Sequence, residues 1–386
     1  MNDEKWGHLA GRYSTRRPRR LLALDGGGIR GILTLQFLQE IERQLRLELG
    51  RPQLLLCDYF DYIGGTSTGG IIAAALSCGM STADLITFYR VVGPEMFAKE
   101  NLVRRLKNLY KSGPLEKQLM EVFGADTTLA SEKLRCLLLV VTRNATTDSP
   151  WPISTNPCAK YNDSARADDN RKIPLWKLVR ASTAAPIFFP PEVVSWDPAT
   201  PDKTFVFVDG GVTPYNNPAF LLYRMATMPE YQLGWQTGED RLMLVSVGTG
   251  AAPTVELDLV TERNALANLG GLPSALMYGA MVDQDTSCRA IGRCVAGAML
   301  DRELGDLVCK APLEQNQGRA MLYARYNADL SEKGLIELNL GQLRPADLQA
   351  LDSVEHIDDL ISVGYAAAQK QVKLREQFGS AWMSLP

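Results

Sequence analysis

Ser67 stands in Gly65-Thr66-Ser67-Thr68-Gly69, a G-x-S-x-G pentapeptide. That spacing suits a serine nucleophile aimed out of a sharp strand-to-helix turn. Such a turn strains the backbone and lets neighbouring chain pass close by, so Gly65 and Gly69 are needed where side chains would clash. A second group lies forty residues earlier. Leu21-Leu22-Ala23-Leu24 runs into Asp25-Gly26-Gly27-Gly28-Ile29-Arg30-Gly31. Three consecutive glycines before a helix leave backbone N–H groups converging in the positive field of its N-terminus. Such a loop binds an anion, and two anions suit it: a dinucleotide pyrophosphate, or the oxyanion of an acyl-transfer intermediate. The third group is Asp209-Gly210-Gly211, ending the apolar run Thr204–Val208. An acid at the carboxyl end of a central strand sits where open α/β sheets place their chemistry.

The elements that must position these groups are legible in outline. Arg20–Leu24 reads as a short buried strand, and Leu33–Leu49 as a helix with Leu35, Leu38, Ile41, Leu45 and Leu49 along one side. Phe60–Ile63 reads as a strand before the serine, and Gly70–Leu76 as a buried helix after it. Further strands are expected at Leu134–Val141, Thr204–Val208, Arg241–Val247 and Ala320–Tyr326. Strands alternating with helices argue for a mainly parallel sheet covered on both faces. Thr142–Arg171, polar and rich in Asn, Asp, Ser and Thr, reads as a long surface excursion.

Gly26, Gly28 and Gly31 also satisfy G-x-G-x-x-G after a strand and before a helix, so a dinucleotide-binding protein or dehydrogenase is the rival reading. Its ribose-binding acid would be Glu48, which sits inside a helical stretch rather than at the end of a second strand. A Ser-His-Asp triad has only His8 and His356 to draw on. His8 lies in the polar N-terminal stretch, and His356 on the polar side of an amphipathic surface helix. Neither follows a strand, so a Ser-Asp pair is favoured.

The three groups, in this order and spacing, resemble the patatin-like phospholipase family, whose pattern is D-G-G-G-x-R-G, G-x-S-x-G and D-G-[GA]. Ala181–Pro186, Asn216-Asn217-Pro218 and Ser246–Gly250 are similar to further family segments. The resemblance runs over residues 20–250, and more weakly over 320–330. It implies a three-layer α/β/α fold with a helical C-terminal region, and a lipid acyl hydrolase without a cofactor or metal. Ser67 attacks an ester carbonyl of a phospholipid or lysophospholipid and Asp209 moves the proton, through an acyl-serine intermediate. Gly26, Gly27 and Gly28 hold the oxyanion, and Arg30 steadies the loop or meets a phosphate head group. Burial beside Val206 and Val208 should raise the Asp209 pKa from its ordinary value of about 3.9. The resemblance also permits control by a cyclic-nucleotide activator, as in antiviral defence, and a homo-oligomer.

Composition bounds the rest. The chain has 386 residues, 46% hydrophobic and 22% charged, with a net charge of −3 that offers no general attraction to nucleic acid. Its seven cysteines contain no C-x-x-C pair, which favours reduced thiols in a cytoplasmic setting. No apolar run reaches the ~18 residues of a membrane span, so lipid must be met at an interface, as a peripheral protein. Residues 1–19 read as a flexible basic arm, 20–330 as the catalytic domain, and 331–386 as a helical region packed on or regulating it. Two segments suit a lipid surface or acyl groove: the basic amphipathic stretch Asn101–Lys111 and the apolar stretch Ala267–Val282.

Overall fold

The computed structural model describes residues 3–97, 113–186, 189–196, 204–252 and 265–385. Nine strands form one sheet: β1 Arg19–Leu24, β2 Tyr62–Thr66, β3 Leu137–Asn144, β4 Ser149–Ser154, β5 Glu192–Ser195, β6 Thr204–Asp209, β7 Leu242–Val247, β8 Arg293–Ala296 and β9 Leu322–Tyr326. The path is β5-β6-β3-β2-β1-β7-β9-β8, with β4 also paired to β3. From β3 to β8 every neighbouring pair along that path is parallel. β4, β5 and β6 add antiparallel pairs at one side.

Alternation along the central strands separates two cores. Leu22 and Leu24 of β1, with Leu138 and Val140 of β3, enter one apolar cluster. Leu21 and Ala23, with Leu137, Leu139 and Val141, enter a second on the opposite face. Helices cover both faces because each face of a parallel sheet must be shielded. Helices α1 (Gly31–Glu48), α2 (Thr68–Ser77), α3 (Thr82–Phe97) and α4 (Leu175–Ser182) contribute to the first layer, and α5 (Ala219–Thr227) to the other. Helix α6 spans Ala265–Ile291, and α7 (Ile357–Gln371) packs along α1.

Three readings of the sequence need correction. The polar stretch after β3 is no simple excursion, because β3 runs on to Asn144 and turns back as β4. The alternation there is masked by Pro150 and Pro152, tolerable because β4 lies on an outer side of β3. The stretch before β1 is packed rather than free: Trp6 and Tyr13 are buried and stacked at 4.8 Å. The Tyr13 hydroxyl donates to the Asp61 carbonyl, and Arg12, Arg17 and Arg19 pair with the Asp61 carboxylate. Strand β8 is not among the strands expected from the sequence. The basic stretch Asn101–Lys111 lies outside the described residues.

Candidate active site

Ser67 occupies the single step between β2, ending at Thr66, and α2, starting at Thr68. Its φ of 55° and ψ of −124° lie outside the regions that L-residues favour. The flanking glycines show why the turn tolerates no side chains. A Cβ at Gly65 would run into the Gly69 carbonyl, and one at Gly69 into the Leu24 and Asp25 carbonyls at the end of β1. The Ser67 N–H donates to Ser182 Oγ at 2.9 Å, and Ser182 Oγ donates to the Val141 carbonyl at 2.7 Å. Ser182, the last residue of α4, thus ties the strained turn to β3. The sequence places it in Ala181–Pro186, one of the segments similar to the family, without marking it for this role.

Asp209 comes to the serine from an unexpected direction. β2 pairs with Leu137–Val141 of β3, and β6 pairs antiparallel with Thr142–Asn144. β4 pairs with Leu139–Asn144 along the other edge. Strands β2 and β6 therefore share one edge of β3 and meet head to head. A Cβ at Gly210 would strike the Val141 carbonyl and approach Thr66 Cγ2 at 3.0 Å. The Asp209 end of β6 is thus the terminus of an antiparallel strand, not of a central parallel one. Ser67 Oγ donates to Asp209 Oδ2 at 2.6 Å, and the Gly211 N–H donates to Oδ1 at 2.6 Å. Asp209 is 4% exposed, and burial pushes its pKa up to about 6. The bonds from Ser67 and Gly211 and the charge of Arg180 oppose that rise.

Neither histidine enters this pair. His8 Nε2 bonds the Leu134 carbonyl at 2.8 Å, and His356 Nδ1 bonds Asp359 at 2.9 Å. No described histidine touches the Asp209 carboxylate.

The glycine loop lies against the serine: a Cβ at Gly26 would come within 3.2 Å of Ser67 Cβ. One expected donor is already engaged, since the Gly26 N–H donates to the Asn216 carbonyl at 3.0 Å. The amides of Gly27 and Gly28 donate to no described residue. The Gly26 carbonyl accepts from Thr249 Oγ1 at 3.1 Å and, more weakly, from Asn216 Nδ2 at 3.4 Å. Within one trans peptide the C=O and N–H point opposite ways. Holding the Gly26 carbonyl on Thr249 and Asn216 therefore fixes the direction of the Gly27 N–H. Arg30 donates to the Gly27 carbonyl at 3.4 Å and the Gly250 carbonyl at 3.2 Å. Burial lowers its pKa to about 10, with Asp25 opposing. Its guanidinium is turned onto the loop itself. Asp25, at the start of the loop, makes a buried two-point pair with Arg325 at 2.8 and 2.5 Å. Thr249 and Asn216 lie in segments that the sequence singled out, yet nothing in residue type marked them as holding this peptide.

The dinucleotide alternative finds no support in this geometry. Strand β2 leads into Ser67 rather than an acid, and Glu48 ends α1 paired with Arg375 at 2.7 Å. Beside Asp209, Met277 Cε of α6 comes within 3.5 Å of where a Cβ on Gly211 would stand. Among the described residues no helix is long and apolar enough to cross a membrane, and no cluster of His, Cys, Asp and Glu could hold a metal.

Comparison with known proteins gives the family. The family model described as Patatin-like phospholipase matches residues 22–223, more than half of the chain. A cGAMP-activated phospholipase of Vibrio cholerae is 30% identical over 280 residues, covering 68% of this chain and 73% of that protein. A second cGAMP-activated phospholipase, from Escherichia coli, is 34% identical over 211 residues, covering 53% of this chain and 55% of that protein. Patatin-T5 of Solanum tuberosum is 29% identical over 259 residues, covering 64% of each. The chain thus spans between about half and three quarters of the length of these relatives.

Proposed function

This chain belongs to the patatin-like phospholipase family and is a lipid acyl hydrolase, and from that premise we propose that Ser67 and Asp209 form its catalytic dyad. The observation that carries the reading is the 2.6 Å bond from Ser67 Oγ, on a strained turn, to a buried carboxylate. Asp209 accepts the Ser67 proton as Oγ attacks the acyl carbonyl of a phospholipid or lysophospholipid. The Gly27 and Gly28 amides donate to the tetrahedral oxyanion, the kind of term that dominates such sites. Collapse expels the alcohol, which takes the proton from Asp209 and leaves acyl-Ser67. Water then repeats the sequence and releases the fatty acid. A carboxylate with a pKa near 6 is a far better base than one at 3.8, which is what burial achieves here.

The finer reading includes peripheral contact with a lipid surface, with Met277 of α6 beside the reacting centre as part of an acyl-chain wall. It also includes gating by a cyclic nucleotide, supported by the names of the Vibrio cholerae and Escherichia coli relatives. Free fatty acid release from mixed phospholipid vesicles, with and without cyclic nucleotides, tests the whole reading. Wild type should release fatty acid and Ser67→Ala should not. Release that persists in Ser67→Ala removes the dyad. His356→Ala should retain activity within about twofold, since among the described residues the ring bonds Asp359 and faces Asp347. A hundredfold loss in folded His356→Ala would replace the dyad with a triad.

A further inference from the structure

A cavity of about 310 Å³ lies at the start of β1, bounded by Arg16, Arg17 and Arg19 on one side and Leu233–Gln236 on the other. The active site lies at the other end of the same strand. Six residues at ~3.3 Å per residue separate the two by roughly 17–20 Å, so an occupant of this cavity would not touch the reacting atoms.

The charges around it do not balance. Asp61 is fully buried and faces three guanidinium groups: Arg17, Arg12 at 3.4 Å and Arg19 at 3.6 Å. One carboxylate neutralises one of them. Among the described residues Asp58 pairs with Arg135, Asp240 with Arg241 and Glu239 with Arg293. Arg16 adds a fourth cation, exposed at the cavity mouth and bonded to no described residue. Arg19 is 3% exposed and stacks over Trp235 at 5.1 Å and Tyr13 at 5.3 Å, so its charge is fixed in place. Burial lowers its pKa, Asp61 opposes, and Arg17 and Arg12 add to the lowering. Guanidinium groups crowded at a half-buried surface with too few counter-charges are stabilised by an anion, and their planar forks match phosphate oxygens.

We propose that this cavity binds a phosphate ester of up to mononucleotide size, with Arg16 on the phosphate oxygens and with Arg17 and Arg19, held on Asp61 and main-chain carbonyls, adding positive charge beside it. The size follows from the volume, which lies near the lower bound of the ~300–1,000 Å³ typical of small-molecule sites. The phosphate is supplied either by a free ester in solution or by the head group of a phospholipid. The two sources share the recognition chemistry and differ in what the protein would do with it, sensing a solute or anchoring to a surface.

Thermal melting of the full chain in inorganic phosphate, adenosine monophosphate or chloride at matched ionic strength tests the free-ester source. Sedimentation with phosphatidylglycerol or phosphatidylcholine vesicles tests the lipid source. Arg16→Glu, at an exposed position, and Gln236→Glu, on the opposite wall, are the comparison variants. At a ligand concentration about a hundredfold above Kd, a single site raises the midpoint of a chain this long by about 3 °C. That rise with phosphate or the nucleotide, lost in both variants, establishes the free-ester source. Binding to phosphatidylglycerol vesicles alone, weakened at least tenfold in both variants, establishes the lipid source. Absence of both effects, or equal effects in wild type and variants, overturns the site. Basal fatty acid release by Arg16→Glu should match wild type, so failure of this site is separable from failure of the dyad.

Discussion

In the proposed dyad a buried carboxylate beside a serine is the whole acid–base apparatus, and its pKa sets two opposed consequences. Asp209 works as a base only when ionised, and burial holds its pKa at about 6. Turnover should therefore fall on the acid side with an apparent pKa near 6, about tenfold for each pH unit below it. A kcat profile measured from pH 4.5 to 8.5 reads this directly, and a limb near 4 would contradict the buried-base account. The same shift costs stability. A folded pKa of about 6 against 3.8 unfolded means that ionised Asp209 disfavours the fold, by about 3 kcal/mol above pH 6. The cost shrinks as pH falls from 6 towards 4 and vanishes below 3.8, where the carboxyl is neutral in both states. Asp209→Asn removes the charge and keeps the shape, so it should abolish hydrolysis while melting several degrees above wild type at pH 8. That gain should narrow steadily towards pH 4. If Asp209→Asn were instead less stable than wild type at pH 8, Arg180 or water would be compensating the carboxylate better than its burial suggests.

Among the elements, the glycine loop shows what a sequence discloses and what it hides. Gly65 and Gly69 were legible because only glycine allows backbone to pass where their Cβ atoms would stand, a constraint written into residue type. Ser67 and Asp209 were legible for a similar reason, each lying in a short apolar run broken by glycine. Hydrogen-bond direction was not legible. Gly26, expected as an oxyanion donor, gives its N–H to the Asn216 carbonyl, and that partner sits 190 residues away. The head-to-head meeting of β2 and β6 was hidden too, because an apolar strand reads the same whether parallel or antiparallel. Thr249 is the most testable consequence. Its hydroxyl holds the Gly26 carbonyl at 3.1 Å and so orients the Gly27 N–H, while its side chain touches no reacting atom. Thr249→Val keeps the shape and deletes the bond. It should lower kcat by about 10–100-fold, since small misplacement of a transition-state donor is costly, and leave KM nearly unchanged. Thr249→Ser should restore most of the rate. A rise in KM with kcat intact would assign Thr249 to substrate binding instead.

At the scale of the whole molecule, the region beyond residue 331 is joined to the glycine loop itself. The Leu351 carbonyl accepts from the Ile29 N–H at 2.9 Å, and a Cβ at Gly28 would run into that same carbonyl. Gly28 also has a φ of 59°, so its backbone and its neighbour both require glycine. Six residues after Leu351, α7 begins and lies along α1, whose N-terminus is the end of the glycine loop. The two helices come close at Gly364, where a Cβ would stand 2.9 Å from the Leu33 carbonyl and from Gln36 Cγ. Gly364→Val therefore wedges α7 off α1 at Leu33 and Gln36. We propose that residues 331–386 act as a structural part of the catalytic unit, so that this wedge reaches the oxyanion loop through Leu351. Overpacking of this kind costs roughly 1–3 kcal/mol. The variant should melt lower by a few degrees and also lose kcat by tenfold or more at temperatures where it remains folded. A fluorophosphonate that labels Ser67 separates the two effects, because labelling needs the serine and the oxyanion amides together. Slow labelling of folded Gly364→Val would tie the C-terminal helix to the loop. A destabilised variant that labels at the wild-type rate would make the C-terminal region a cover that supports the fold and leaves the chemistry alone.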